Sequence, residues 1–369
     1  MSGRSPNAMK LQEVMLRRKM TGFRRNLQFT YNLKKGETLM SGKKILSMFC
    51  IVMLFAAFAG LEAFAQKTYE MRLATPLSKN GSVGKGLDKF AELVEEKSAG
   101  SIKTAVSYAG ELGTQREQVE MLHDGALEVV TTLASGTARY VPQLGLFEFP
   151  YIYKDEAHLV RVLDALEDEV SRLLAPHNFI AIGGQNMGFR YMLNKQKPIY
   201  VVADLKGLKM RGPNPVYVGM FEALGATGTT TDWSEIYNAL QTGVIDGMEA
   251  SPDMIYSMKF HEVAKYLSKT NHIAACVYYM IRKDWFEGLP PELQEIVVSS
   301  AREAAAYQNA LDIEVQEQSL QKMVDEGLQV NEVKDLNEFM TTLEGFKTSY
   351  VKEKGPEWED LFSKITAVE

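Results

Sequence analysis

Cysteine and histidine are both scarce in this chain. Its 369 residues include two cysteines, Cys50 and Cys276, and five histidines. Cys50 falls in an apolar leader described below, so the mature chain is left with one thiol and no internal disulfide. His123, His158, His177, His261 and His272 have no zinc-like spacing, and "HEVAK" from His261 lacks the second histidine of a metalloprotease helix. There is no glycine-flanked serine elbow. "GSVGKG" at 81–86 has neither the spacing nor the Lys-Ser/Thr ending of a phosphate loop, and "GGQNMG" at 183–188 has too few glycines for a dinucleotide fingerprint. Nothing therefore speaks for nucleophilic, metal or nucleotide chemistry. The expectation is a protein that is not an enzyme and takes no cofactor.

Positive charge is also sparse once the amino-terminal part is set aside. The chain carries 41 Lys/Arg against 47 Asp/Glu; 11 and 3 of these lie in the first 65 residues, leaving 30 and 44, a net charge of −14. That balance argues against nucleic acid as a partner. It makes any anion site a local exception to the overall field. Residues 45–61, "ILSMFCIVMLFAAFAGL", follow Lys43-Lys44 and precede Ala63-Phe64-Ala65. A basic end, an apolar middle and a small-x-small exit make residues 40–65 a secretory signal cut before Gln66, hence a periplasmic destination. A retained anchor is the alternative, at the short limit for a span. Residues 1–39 hold nine Lys/Arg, and codons for Lys35-Gly36-Glu37 can resemble a ribosome-binding site ahead of Met40. The expected start is therefore Met40, with 1–39 an over-extended reading; a functional extension is the alternative.

The remaining chain reads as alternating strands and helices. "YEMRLAT" at 69–75 alternates as a strand, Leu87, Phe90, Ala91, Leu93 and Val94 mark an amphipathic helix, and "SIKTAVSY" forms a second strand. This is a strand–helix–strand unit. "EQVEMLHDGALE" (117–128) and "EIYNALQTGVID" (235–246) share a glutamate, a leucine, a glycine and an acid at the same offsets. Each reads as a short helix stopped by glycine and followed by a strand. Two similar α/β domains follow, with a cleft between them as the natural ligand site. Glu262–Leu267 reads as a helical extension and "AACVYYMIRK" as a buried strand crossing back. From Pro290 to about Glu326 the pattern predicts one helix, about 50 Å long, with Leu293, Ile296, Val297, Ala301, Ala304, Ala305, Leu311, Val315 and Leu320 on its apolar face.

Arg211 stands at the end of the predicted strand "LKGLKMR", just before Gly212-Pro213-Asn214-Pro215 and a helix. Ligands of open α/β sheets gather at that edge. An arginine fork matches a carboxylate with two parallel N–H donors. Arg190, after the apolar strand "FIAIGG", is a second candidate, and Trp233 and Tyr217 could wall the site. Alone, Arg211 could equally be a surface strand-end charge, and Trp233 and Tyr217 core aromatics.

"LKGLKMRGPNPVYVGMFEALGA", "SEIYNALQTGVIDGMEASP", "KFHEVAKYLSKTNH" and "GTARYVPQLGLFEFPYIYKDEAH" resemble the solute-binding P-subunit of tripartite ATP-independent periplasmic (TRAP) transporters, from about residue 69 to 365. The resemblance implies an α/β fold, a two-domain periplasmic-binding-protein-like clamshell with crossover strands and a long C-terminal spine helix. It implies domain I over 66–187 and about 276–315, and domain II over 188–275 and about 316–369. By the same resemblance Arg211 clamps a ligand carboxylate, Arg190 is a second site arginine, Asn214 is a polar pocket position and Trp233 stacks on ligand. Thr132 to Ser135 and the loop Ser78–Ser82, with Asn80, supply contacts from the first domain. Many members read "DGQENP"; here Asp246-Gly-Met-Glu249-Ala250-Ser251-Pro252 puts alanine where the family's amide binds ligand, with Ser251 or Asp253 to compensate and Glu249 and Ser251 as candidate site residues. The implied ligand is an organic anion: a C4-dicarboxylate, a 2-oxo or 2-hydroxy acid, an aromatic acid, or alternatively a sugar acid. The implied partners are a small Q-type and a large M-type membrane subunit, or alternatively a sensor kinase. The implied state is a monomer.

Overall fold

The computed structural model describes residues 67–369. The expected start, over-extension and leader, residues 1–65, lie outside the described residues. Strand β1 (Tyr69–Ala74) buries Met71, Leu73 and Ala74 and pairs in parallel with β2 (Ile102–Ser107) along its whole length. Helix α1 (Ser82–Lys97) joins them, and its five anticipated apolar positions are all buried. Helix α2 (Gln115–Asp124) opens with a reciprocal Thr114–Glu117 capping box and stops at Gly125, whose φ of 84° is the left-handed conformation that glycine adopts without a Cβ penalty. Strand β3 (Val129–Leu133), entirely buried, follows, then helix α3 (Glu156–Leu174) and the eleven-residue β4 (Phe179–Phe189).

The second layer begins at β5 (Tyr191–Asn194) and continues with β6 (Lys209–Gly212), α4 (Pro215–Ala223), β7 (Thr227–Thr230), α5 (Ile236–Thr242), β8 (Gly247–Ala250), α6 (Pro252–Ser257) and β9 (Tyr266–Lys269). Gly243 ends α5 at φ 78°, repeating the Gly125 stop. Strand β10 (Ala274–Arg282) then returns to the first sheet and inserts between β3 and β4, antiparallel to both. Helix α7 (Lys283–Glu287), α8 (Pro291–Asp325), β11 (Gln329–Glu332), α9 (Leu336–Lys354) and α10 (Pro356–Ala367) complete the order. One sheet is β2-β1-β3-β10-β4 and the other β11-β9-β5-β8-β6-β7. The chain passes between them three times, at β4–β5, at β9–β10 and through α8 to β11, and the first two crossings touch: Arg190 N–H donates to Ile273 O at 2.8 Å. Among the described residues no helix is long and apolar enough to cross a membrane.

Three expectations need correction. Residues 262–267 are not helical: a short 3-10 turn ends at Glu262, and Tyr266–Lys269 is a strand held between β5 and β11. Pairing on both sides outweighs the local helical pattern. The segment 316–369 does not belong wholly to the second layer, because Trp358, Leu361 and Ile365 of α10 join the core of Phe149, Leu159 and Leu163 in the first. Finally, the apolar stripe of α8 fails in its second half. Leu293, Val297, Ala301, Ala304 and Ala305 are buried, but beyond them the buried positions include Gln308, Asp312 and Ser319, while Leu311, Val315 and Leu320 are only half-buried.

That polar stretch of α8 is a joint. Asp312 accepts from Ser82 Oγ at 2.6 Å and from Gln316 Nε2 at 3.1 Å. Asp253 of α6 accepts the Ser82 backbone N–H at 2.9 Å, and its own N–H donates to Gln316 Oε1 at 2.9 Å. The start of α1, the spine helix and α6 are thus tied by polar bonds where both layers meet.

Candidate functional site

Strand β6 delivers Arg211 to the mouth between the layers, where a cleft is lined by Arg190, Arg211, Thr131, Thr132, Gln115 and Trp233 together with apolar side chains. Arg211 is 4 % exposed. Its Nε donates to Thr231 O at 2.8 Å, and its guanidinium lies 5.8 Å from the Trp233 ring. Among the described residues, Nη1 and Nη2 have no protein partner. Burial lowers its pKa to about 10, with Arg190 adding to the shift and Glu249 opposing it. An arginine pushed down in this way lacks an anion close enough to offset its desolvation.

Arg190 is different. Its Nε and Nη2 both engage Glu249, Nη2 reaching Oε1 at 2.8 Å and the Glu249 carbonyl at 2.7 Å; Nη1 meets Met254 Sδ at 3.6 Å. The Tyr217 ring lies beneath it at 5.7 Å. Burial opposes the charge of Arg190, but Glu249 outweighs that and holds its pKa above the usual arginine range. The two residues form a fully buried pair. His272 lies 3.9 Å from Glu249 with Nδ1 bonded to Thr270 Oγ1; burial, reinforced by Arg190, lowers it to about 3 and keeps it neutral.

Glu148 is the residue that sequence reasoning missed. It is wholly buried in the first layer and accepts from Ser135 Oγ at 2.8 Å, Ser135 N–H at 3.3 Å and Asn214 Nδ2 at 3.4 Å. Burial raises its pKa, while Ser135 and Arg190 oppose the shift. A signal was present: Glu148 is the one charge in the apolar run "VPQLGLFEFPY", and a charge there needs buried partners.

The anticipated residues therefore separate. Arg211, Arg190, Trp233 and Thr132 line the cleft, and Ser251 lines an adjoining recess with Asp253, Ser82 and Gln316. Asn214 is engaged twice, its Oδ1 capping α4 at Val216 N and its Nδ2 reaching Glu148 across the layers. Ser135, Tyr217 and Glu249 stand behind the lining as partners of Glu148 and Arg190. Asn80 is exposed on the loop before α1. The hydroxyls of Thr131 and Thr132 and the indole N–H of Trp233 are buried with no hydrogen-bond partner. Gly136 leaves them room, since a Cβ there would fall on Thr132 Oγ1 and the Gln115 amide. One wall thus carries a cation with both Nη groups open, Arg190 beside it is balanced by Glu249, and the remaining lining offers neutral polar groups among apolar ones.

Residues 73–353 match the family model described as bacterial extracellular solute-binding protein, family 7. A solute-binding protein of Sulfitobacter sp. NAS-14.1 is 34 % identical over 313 residues, covering 83 % of this chain and 93 % of that one. The crystal structure of a TRAP periplasmic solute-binding protein from Chromohalobacter salexigens, with bound D-glucuronate, is similar at a TM-score of 0.78 and 30 % identity, covering 81 % of this chain and 100 % of that one. A TRAP periplasmic solute-binding protein from Sulfurospirillum deleyianum, with bound succinate, matches at a TM-score of 0.76 and 27 % identity, covering 82 % and 99 %.

Proposed function

This chain belongs to the bacterial extracellular solute-binding proteins of family 7, the solute-binding component of TRAP transport, and on that premise we propose that it captures an organic acid by its carboxylate at Arg211. The observation that carries the reading is a buried guanidinium with both Nη groups unpartnered, opening on a cleft. The carboxylate lies against that fork, and Trp233 covers it. Thr131, Thr132 and the indole N–H take up hydroxyl or oxo groups of the ligand, as buried donors and acceptors favour partners. Arg190 shapes the wall while Glu249 holds it.

Residues 66–187 and about 276–315 form one lobe, and 188–275 with 316–355 form the other, α10 packing back on the first. The lobes close on the ligand, and the closed form is passed to a small and a large membrane subunit. Members of the family are periplasmic binding proteins; for this chain, cleavage before Gln66 delivers it there. No bond of the ligand is made or broken.

Thermal unfolding of residues 66–369 with D-gluconate, D-glucuronate, pantoate, succinate and D-glucarate is the direct test, since a ligand for the folded state raises the melting temperature. At least one acid should do so. Arg211→Ala should then weaken that acid on the order of 10²–10³-fold, about 3–5 kcal/mol, because a buried carboxylate would lose its cation. Unchanged affinity in calorimetry would reject Arg211 as the clamp.

A further inference from the structure

Four fully or almost fully buried charged side chains surround the cleft: Arg190, Arg211, Glu148 and Glu249. They are two cations and two anions. Glu249 saturates three of the hydrogen-bonding directions of Arg190, with its carboxylate and its own carbonyl. Among the described residues Glu148 makes no ion pair within 4 Å; it accepts from Ser135 and Asn214. Among the described residues, Arg211 is therefore the buried cation of the cleft whose charge no carboxylate offsets, whereas that of Arg190, which lines the same cleft, is balanced by Glu249. The opposite wall is neutral: Gln115, Thr131 and Thr132 bring amide and hydroxyl groups, and Leu77, Met187 and Met254 bring none. The adjoining recess, which shares Leu77, Met187 and Met254 with the cleft, holds a carboxylate, Asp253.

We infer that the site selects acids bearing a single carboxylate, and that Glu148 takes part in excluding a second one. This rests on the reading of Arg211 as a carboxylate clamp. One ligand carboxylate pairs with Arg211. A second, at the far end of the same molecule, meets neutral hydroxyls on one side and Asp253 on the other, with Glu148 and Glu249 behind. An anion taken out of water without a cation loses its hydration and gains only dipoles in return. Hydroxyl groups at that end have the opposite fate, because Thr131, Thr132 and the Trp233 N–H are buried and unpartnered. The ligand class is thus a hydroxylated or oxo monocarboxylate, and dicarboxylates of equal length are rejected by charge rather than by size.

D-Gluconate and D-glucarate share six carbons and four hydroxyls and differ in one terminal carboxylate, so they separate charge from shape. Calorimetry on the mature protein at pH 7.5 should show gluconate or glucuronate binding at least about 100-fold more tightly than glucarate or succinate, a difference of about 2.7 kcal/mol. Glu148→Gln should shrink the gluconate-to-glucarate ratio at least about fivefold. Glucarate or succinate within about tenfold of the best monocarboxylate overturns the selection while leaving the organic-acid reading intact. A ratio unmoved by Glu148→Gln in a variant of normal melting temperature overturns the part given to Glu148. Failure of these four acids and of pantoate removes the carboxylate-clamp reading, and this inference with it.

Discussion

Arg190 and Arg211 are both buried, yet their loss should read out differently. Arg190→Ala leaves Glu249 without its counter-charge in a sealed site, which costs about 3–5 kcal/mol of folding stability. Among the described residues Arg211 has no carboxylate partner, so Arg211→Ala should cost far less in urea unfolding and act mainly on affinity. Comparable losses in the two variants would contradict the division of labour. Gly136→Ala places a methyl on Thr132 Oγ1 and the Gln115 amide; ligand affinity should fall roughly tenfold, with a stability change of about 1–3 kcal/mol from overpacking. Calorimetry with the acid found by screening checks this. The place of Arg211 at the cleft was legible because a permanent charge ended a predicted strand just before a helix. Glu148 and the engagement of Asn214 were not, because each depends on a contact between segments 66 residues apart, and no local pattern encodes that.

Helix α8 shows the same limit at the level of an element. Its span agrees closely with the sequence reading, Pro291–Asp325 against Pro290 to about Glu326, since proline, periodicity and the glycine beyond it are all local signals. Its buried polar half was not legible: Gln308, Asp312 and Gln316 look like a solvated face until Ser82, Asn186 and Asp253 arrive from elsewhere. The joint has a consequence for pH. Burial raises Asp312 to about 7 against the bonds from Ser82 and Gln316, with Asp253 and Glu156 adding to the shift. Between about pH 4 and 7 the folded chain holds a proton there that the unfolded chain lacks. The contribution of Asp312 is therefore full below about pH 4 and is lost as pH rises through about 7. Asp312→Asn should flatten this slope by up to about 1.4 kcal/mol per pH unit, measured by urea unfolding at pH 5, 6 and 7. Parallel slopes in wild type and variant would exclude Asp312 as the source. Strand β9 was misread for a related reason: four residues carry too little periodicity to compete with pairing on both edges.

For the whole molecule, two lobes and a shared helix make ligand and shape interdependent. A ligand that touches both lobes favours the form in which Glu148 meets Asn214 and Asp253 meets Ser82, by as much as its affinity for that form exceeds its affinity for any other. At 100 times its dissociation constant, the captured acid should add about 2.7 kcal/mol of stability, a melting shift of roughly 5 °C for a chain of this size. The duplicated helix–glycine–strand pattern made the two-lobe plan legible, whereas the return of α10 to the first lobe was not, since Trp358, Leu361 and Ile365 would suit either core. The late insertion of β10 also imposes an order in time. Strand β10 lies inside the first sheet, between β3 and β4, so β4 cannot join β2-β1-β3 until residue 282 has been made. Most of the second sheet, β5 to β9, lies in one unbroken stretch. Long-range pairing is slow to form, so pulsed hydrogen exchange during refolding should protect β5, β6 and β8 before β1, β3 and β4. Until then the first lobe is an open-edged half-sheet, whose unpaired β3 edge is a template for pairing with another chain.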